Sequence, residues 1–415
     1  MTSVLSSASE KQRARHDFTS NRNWTSLRFS AQALCTPWPS LFQPVLAQNM
    51  SGNRMAVLAG NALLSFNFSR PRQLSNPAGA LQTTNIRLDT RLALPQATAR
   101  DGQHDLVGAA FVPDYSADGS RTLIVAMYDG SVERLHLPKV DSQTPMDHSS
   151  RVVRTASYER APGMKNVHGL ASAGHTTVVL GRAGHVAMYR ANAPWQSPDT
   201  VTLPGIRKGR SYAAYIARDA SFVAFGRAHV DNALSVHRIR PEGGIDVVQF
   251  DSLPGSGVRK SDAVYAFAPM EPGPTGNPNL LLSGWFDGSA RAYDLREPPE
   301  CGAYLTLRDP WSNEGLFSVA AAGHRVAAGT RRHGMIALFD VRSPKDGWSV
   351  YAPGRSESSP VYGLALEESR VFGLTRTRAF AIDVAEGFSA ETFPMLHGEA
   401  KLQHTVMTYQ HSKGR

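Results

Sequence analysis

One short pattern recurs along this chain and limits what it can fold into. Six segments share an apolar stretch with small residues that follows a loop: VGAAF (107–111), VHGLA (167–171), YAAYI (212–216), VYAFA (264–268), LFSVA (316–320) and VYGLA (361–365). Two further short apolar runs follow each segment, and a seventh copy lies at 54–68. Tight turns such as Asp129-Gly130 and Asp287-Gly288 separate the runs, which is a strong hairpin signal. The chain therefore reads as a series of antiparallel hairpins.

The spacing of the copies sets the architecture. Equivalent positions in the third apolar run are Phe66, Leu135, Tyr189, His237, Tyr293, Phe339 and Ile382, which are separated by steps of 43 to 69 residues. These steps lie at or above the roughly 40–45 residues of a four-stranded WD-repeat blade. Radial closure removes the exposed edges that an open sheet of this size would leave. We therefore predict an all-β, seven-bladed WD-repeat-like β-propeller with degenerate repeats and a short N-terminal extension.

Composition agrees with a turn-rich β protein. The 35 Gly, 26 Pro and 19% charged residues exclude a coiled coil or a helical solenoid. The apolar runs are too short to span a bilayer, and the N-terminus lacks the apolar core of a secretory signal. Only two cysteines occur, Cys35 and Cys301, which fits a reducing compartment. We expect a cytoplasmic or nuclear protein.

The domain boundaries follow from the repeat. We predict a disordered, basic and Ser-rich N-terminus at 1–20, a linker at 21–40, the propeller at 41–395 and a C-terminal tail at 396–415. A propeller needs an outer strand that closes the ring. Either SLRFSAQ (26–32) or HTVMTY (404–409) can supply it, and the sequence does not choose between them.

Three blades carry a family resemblance. SGWFDGSARAYDLR (283–296) and GTRRHGMIALFDVR (329–342) end in aromatic-Asp-aliphatic-Arg, where a WD repeat has Trp-Asp, and the last copy keeps Ile-Asp-Val at 382–384. With SSPVYG at 358–363 and Arg22-Asn23-Trp24 near the N-terminus, the chain resembles F-box/WD-repeat proteins of the dactylin type. That resemblance implies a substrate receptor of an SCF-type ubiquitin ligase. It departs from the family upstream of residue 21, where the segment has no F-box periodicity, so binding of a Skp-type adaptor requires an F-box upstream.

Catalytic signatures are missing from the sequence. His-Glu-x-x-His, Gly-x-Ser-x-Gly and the P-loop spacing do not occur, and the 14 histidines are dispersed. The recurring aspartates Asp129, Asp287, Asp294, Asp340 and Asp383 stand where Asp caps turns. We therefore expect no catalytic residue, no metal and no cofactor, and we interpret Trp24, Trp38 and Trp348 as packing anchors.

Basic residues supply the candidate binding site. The net charge is +9, and 36 of the 44 basic residues are arginine. In a propeller, the turn between the second and third strands of a blade shares a face with the loop into the next blade. We place on that face, as a peptide-binding set, Arg182, Arg207, Lys208, Arg210, Arg227, Arg259, Lys260, Arg331, Arg332, Arg376 and Arg378, with Trp285 at its edge. Arginine forks suit an acidic or phosphorylated peptide.

The predicted function is therefore noncatalytic protein recognition without a membrane. Four readings remain open on the sequence: a receptor in an SCF-type ligase, a WD-repeat scaffold without a ubiquitin role, a nucleic-acid-binding propeller and a propeller hydrolase. The scattered arginines form no dense basic run, which disfavours nucleic acid. A hydrolase requires acids or metal ligands gathered in the central channel.

Overall fold

The fold was analysed in a computed structural model of the full chain. The structure describes residues 10–35, 38, 43–49, 54–69, 85–93, 105–113, 121–137, 152–204, 210–228, 233–240, 243–246, 262–271, 276–298, 301–353, 358–367, 369–384 and 408–412. In this part of the chain, no helix is both long enough and apolar enough to cross a bilayer.

The chain begins with a helix and an isolated outer strand. Helix α1 spans Glu10–Ser26 and strand β1 spans Ser30–Ala33. Residues 10–20, for which the sequence predicted disorder, lie in α1, and residues 1–9 lie outside the described residues. The helix docks through its last two turns: Trp24 is buried, and Asn23 Nδ2 donates to the Val384 carbonyl at 2.8 Å. Docking by so few residues leaves no apolar periodicity in the sequence.

Seven antiparallel sheets follow, each built on three or four consecutive strands, and the sheets of blades six and seven each gain one strand from a chain terminus. Blade one contains β2 (Val45–Gln48), β3 (Arg54–Ala59), β4 (Ala62–Ser69) and β5 (Asn85–Ala93). Blade two contains β6 (Leu106–Val112), β7 (Thr122–Met127), β8 (Val132–His136) and β9 (Val153–Ser157). Blade three contains β10 (Val167–Ala173), β11 (Thr176–Gly181), β12 (His185–Arg190) and β13 (Asp199–Thr202). Blade four contains β14 (Arg210–Ile216), β15 (Phe222–Ala228) and β16 (Leu234–Arg238).

The remaining three blades complete the series. Blade five contains β17 (Val264–Pro269), β18 (Leu280–Trp285), β19 (Ser289–Asp294) and β20 (Leu305–Arg308). Blade six contains β21 (Leu316–Ala322), β22 (Arg325–Thr330), β23 (Met335–Asp340) and β24 (Ser343–Tyr351). Blade seven contains β25 (Gly363–Glu367), β26 (Arg370–Leu374) and β27 (Ala379–Asp383), and a last short strand, β28, spans Thr408–Gln410.

The blades form a closed ring. The first strand of each blade contacts the first strand of the next, and β25 of blade seven contacts β2 of blade one. Seven clusters of buried apolar side chains lie in the described residues, one between each pair of adjacent blades. Phe372 of blade seven and Met55 of blade one share the cluster that joins the ends of the series. The predicted seven-bladed β-propeller is confirmed.

The ring is closed by the N-terminal candidate strand. β1 pairs with β27, from Ser30 opposite Asp383 to Ala33 opposite Phe380, and becomes the outer strand of blade seven. The segment predicted as a linker at 21–40 therefore contains the end of α1 and a propeller strand, because β27 would otherwise present an unpaired edge. The tail strand β28 pairs with β24 and adds a fifth strand to blade six.

Aspartates cap the tight turns as predicted. Asp129 and Asp287 accept hydrogen bonds from the amides of Ser131 and Ser289, and the glycines between them have positive φ angles of 100° and 84°. Asp294 and Asp340 accept in the same way from the amides two residues on. Asp383 differs, because its carboxylate pairs with Arg370 at 2.8 Å within the blade.

Candidate functional site

The candidate site lies on one face of the ring, which we call the turn face. This face carries the turns between the second and third strands of the blades. Because strands one and two are antiparallel, the start of the first strand is also at this face; Leu316 lies opposite Thr330, for example. This pairing puts the turns between second and third strands on the same face as the loops that lead into the next blade, as the sequence analysis expected.

A repeated β-bulge shapes the centre of the turn face. The register between first and second strands shifts near the start of the first strand in blades two to six, at its second residue or, in blade four, at its third. A bulge turns a side chain away from the regular alternation of a strand. The bulged residues are Val107, His168, Tyr212, Tyr265 and Phe317. In blade seven, Tyr362 directly precedes β25.

These aromatic side chains contact one another around the inner ring. Ring centroids are 6.1 Å apart for His168 and Tyr212, 4.5 Å for Tyr212 and Tyr265, 4.8 Å for Tyr265 and Phe317, and 6.3 Å for Phe317 and Tyr362. We call this set the aromatic arc; its members are His168, Tyr212, Tyr265, Phe317 and Tyr362. All five are half-buried, so each ring keeps part of its surface open to solvent.

Arginines border the aromatic arc. Burial, with the positive charges of Arg182 and Arg210, lowers the pKa of His168 to about 4, so this ring is neutral at pH 7. Burial, with a hydrogen bond between Tyr265 and Tyr212, raises the pKa of Tyr265 to about 12. His168 and Tyr265 are thus uncharged at pH 7. Neither Arg182 nor Arg210 forms an ion pair with the residues that the structure describes.

Six of the predicted basic residues lie on the turn face. Arg210, Arg332 and Arg376 are exposed, and Arg182, Arg331 and Arg378 are half-buried. Arg331 is partly neutralised, since its Nε lies 3.5 Å from the Glu314 carboxylate and its guanidinium is 5.1 Å from the centre of the Phe286 ring. The structure therefore brings only part of the predicted set to the rim of the arc.

Two predicted site residues are buried instead. Arg227 is 3% exposed and donates to the Pro204 carbonyl at 2.9 Å. Trp285 is 4% exposed, donates from Nε1 to Ser283 Oγ at 2.8 Å and lies beneath the Arg291 guanidinium. Arg227 is the next-to-last residue of β15 and Trp285 is the last residue of β18, and at both positions the alternation of the strand directs the side chain between blades rather than to the surface where it was predicted. Arg207, Lys208, Arg259 and Lys260 lie outside the described residues.

A buried polar cluster at the tail strand contains serine, histidine and aspartate, the residue types of a catalytic triad, but it does not have the geometry of a triad. Ser349 Oγ donates to Asp309 at 2.6 Å and lies 3.0 Å from His411 Nε2. Ser349 is fully buried, and its hydroxyl is held by the carboxylate rather than facing a substrate cavity. The cluster instead fastens β28 to blade six. Among the described residues, no group of three or more potential metal ligands comes together.

The three tryptophans interpreted as anchors do fasten the N-terminal segment. Trp24 packs between blades six and seven, Trp38 Nε1 donates to the Arg376 carbonyl at 2.7 Å, and Trp348 Nε1 donates to the Thr25 carbonyl at 3.1 Å. The aromatic arc, in contrast, was missed. Its signal was present in the sequence, because an aromatic residue recurs beside the small residues of VHGLA, VYAFA, LFSVA and VYGLA.

The fold and the aromatic arc define the class: a seven-bladed β-propeller with a half-buried aromatic centre on one face. Comparison with known proteins agrees on the fold. A scan of protein-family profiles finds no match, and a search of curated proteins by sequence finds none.

Solved structures do match. The chain is similar to Chaetomium thermophilum Sqt1, crystallised with the N-terminus of the ribosomal protein L10, at a TM-score of 0.53 and 16% identity over 81% of this chain and 82% of that one. It is also similar to Chaetomium thermophilum Raptor, at a TM-score of 0.58 and 12% identity over 87% of this chain, which spans 30% of Raptor. At these identities the likeness shows the fold alone.

Proposed function

We propose that this protein is a noncatalytic interaction propeller that binds an acidic peptide segment of a partner protein on its turn face. The observation that carries the proposal is the aromatic arc with Arg182 and Arg210 at its border. Half-buried aromatic rings offer large rigid contact surfaces, and arginines beside them favour carboxylates. Sqt1 provides a parallel for binding a peptide segment, because its crystal structure contains the N-terminus of the ribosomal protein L10.

The charge of the rim favours an acidic over a basic segment. Acidic side chains near the arc are already engaged: Glu314 contacts Arg331, and Asp287 pairs with Arg291 at 2.5 Å. Hydrogen bonds from Ser289, together with Arg291, hold the pKa of Asp287 below its usual value against the opposing effect of burial, so its charge is fixed and compensated. Arg182 and Arg210 are left to face an incoming group.

The test starts from partners captured by the full chain and mapped to a peptide. Tyr265→Ala and Arg210→Glu should each weaken peptide binding at least tenfold, as expected for residues at the centre of an interface. The matched control is Lys345→Glu, which makes the same charge change at an exposed residue at the start of β24, away from the turn face. Equal binding by all variants would reject the turn face as the site.

The same assay separates the other readings. Phosphorylated and unphosphorylated forms of the peptide show whether a phosphate is needed. A nucleic-acid-binding propeller would instead bind RNA or DNA with an affinity that falls steeply with salt. Among the residues that the structure describes, the rim has a few separate arginines rather than a continuous basic stripe, which favours the peptide.

A narrower role, as substrate receptor of an SCF-type ubiquitin ligase, is supported by the resemblance of 283–296 and 329–342 to F-box/WD-repeat proteins. Recovery of a Skp-type adaptor with the full-length protein would support it. If the adaptor is absent while the acidic partner is retained, the protein is a scaffold without a ubiquitin role.

A further inference from the structure

Blade four contains a group of buried polar side chains that its fold does not require. Ser211, Arg227, Ser235 and His237 are each at most 3% exposed. Each has a buried atom without a hydrogen-bond partner: Ser211 Oγ, Arg227 Nε, Ser235 Oγ and His237 Nε2. Buried polar atoms are satisfied in the great majority of cases, so four in one blade call for an explanation. We call these residues the blade-four cluster.

The register places the cluster on one face of the sheet. Ser211 lies opposite Arg227, and Ser235 and His237 lie opposite Phe225 and Val223 on the neighbouring strand. Because side chains alternate, positions 223, 225 and 227 share a face. Val223 and Phe225 pack against blade three, and Arg227 donates to the Pro204 carbonyl at the end of blade three. The cluster therefore lies between blades three and four, beneath the turn face.

The other blades provide an internal comparison. Ser211 and Arg227 lie opposite each other in blade four. The equivalent positions are occupied by Leu106 and Met127 in blade two and by Val264 and Trp285 in blade five. The place of His237 is taken by a large apolar or aromatic residue in its neighbours, for example Tyr189 in blade three. Blades two and five thus fold with apolar side chains at this pair, and none of blades two, three, five and six has a charged residue there.

The charge of the cluster indicates what it binds. Arg227 has no ion pair among the described residues, and burial lowers its pKa below the usual value. A buried guanidinium without a counterion is strongly unfavourable. Burial, with the positive charge of Arg227, lowers the pKa of His237, and its Nδ1 donates to the Asp246 carbonyl, so Nε2 of the neutral ring is an acceptor and the donors are the other three side chains. The Arg227 guanidinium, with the hydroxyls of Ser211 and Ser235 on the two flanking strands, offers donors to an oxyanion.

We propose that the blade-four cluster is a binding site for one oxyanion, a phosphate or carboxylate group, between blades three and four. The group comes either from a free anion or from a side chain of a bound protein. This site is separate from the aromatic arc, so its test does not depend on the proposed function.

The experiment measures thermal unfolding of the full chain in increasing sodium phosphate at constant ionic strength set with chloride. A site that binds only the folded state raises the midpoint by a constant increment for each tenfold increase in phosphate above the dissociation constant. N-acetylphosphoserine amide and N-acetylaspartate amide are tested in the same way. Stabilisation by phosphate alone assigns a free anion, and stabilisation by an amide assigns a side chain.

The decisive variant copies blade two into blade four, Ser211→Leu with Arg227→Met. It should fold, because blade two has that pair at the same register, and it should lose the response to phosphate and both amides. Lys345→Met, at an exposed basic residue at the start of β24 and away from the turn face, is the control and should respond as the wild type does. Isothermal titration of Ser235→Ala gives a second measurement, with an expected loss in affinity of at least threefold.

Two results would overturn the proposal. The first is a wild-type protein whose midpoint responds to none of the three probes beyond chloride, which would mean that buried water satisfies the cluster. The second is a blade-two copy that responds as strongly as the wild type, which would place anion binding elsewhere.

Discussion

The attachment of the tail strand provides a quantitative prediction. Tyr409 in β28 donates its hydroxyl to Asp309, which is 5% exposed. The same carboxylate accepts from Ser349 Oγ at 2.6 Å and from the Trp311 amide at 2.9 Å. The His411 amide donates to the Gly347 carbonyl at 2.9 Å and extends the pairing. The tail is thus held by a short ladder and by one buried carboxylate.

Tyr409→Phe removes the hydroxyl and keeps the ring. A hydrogen bond to a charged group contributes about 1.5–3 kcal/mol. Because Asp309 keeps two other hydrogen-bond donors, we expect the free energy that holds the tail strand to fall by an amount near the middle of that range, about 2 kcal/mol. The loss is local, since β1 and not β28 closes the ring.

Hydrogen exchange is the assay, because it measures opening of one segment separately from global unfolding. A loss of about 2 kcal/mol corresponds to about 30-fold faster exchange of the tail amides when 1.4 kcal/mol is a factor of ten. The urea midpoint should hardly change. Tyr351→Phe, at a tyrosine in the same groove beside the tail, is the control. A change of less than about threefold at the tail, or an equal loss of global stability, would refute the attachment by Asp309.

Two further predictions concern the N-terminal docking and the aromatic arc. Trp24→Ala should lower the free energy of unfolding by about 3–5 kcal/mol in urea titration, because Trp24 is 5% exposed between blades; Trp195→Ala, at a side chain that is 79% exposed, should change it by less than about 0.5 kcal/mol. The pKa of His168 is about 4 in the folded state, against an ordinary value of 6.5. Its contribution to the free energy of unfolding is therefore complete above pH 6.5 and is lost as the pH falls to 4. After discounting for partial exposure, His168→Phe should reduce the loss of stability over that window by about 1–2 kcal/mol, and parallel wild-type and variant profiles would contradict this.

The repeat pattern was sufficient to predict the blades. Short apolar runs separated by Asp-Gly turns specify local hairpins, and hairpins depend on residues close in sequence. All seven third-strand positions, from Phe66 to Ile382, lie in the third strand of a blade. The turn aspartates were predicted for the same reason, since Asp129 and Asp287 bond to amides two residues away.

The candidate site was predicted only in part. Arg182 and Arg210 were placed on the correct face because a turn has a fixed position in a blade. Arg227 and Trp285 were misplaced because a residue near the end of a strand points either to solvent or between blades, and that choice depends on register. The aromatic arc escaped notice because its residues are far apart in the sequence and meet only when bulges turn them inward.

The sequence by itself determined the number of blades, their hairpins and the excess of arginine, since each depends on local pattern or composition. Only the tertiary structure decided which terminus closes the ring, because SLRFSAQ and HTVMTY are equally strand-like and differ only in the edge they reach. It also decided that Arg227, with a sequence context like that of any turn arginine, is buried beside two serines and a histidine. Contacts across blades set both outcomes, and such contacts join residues that the linear pattern keeps apart.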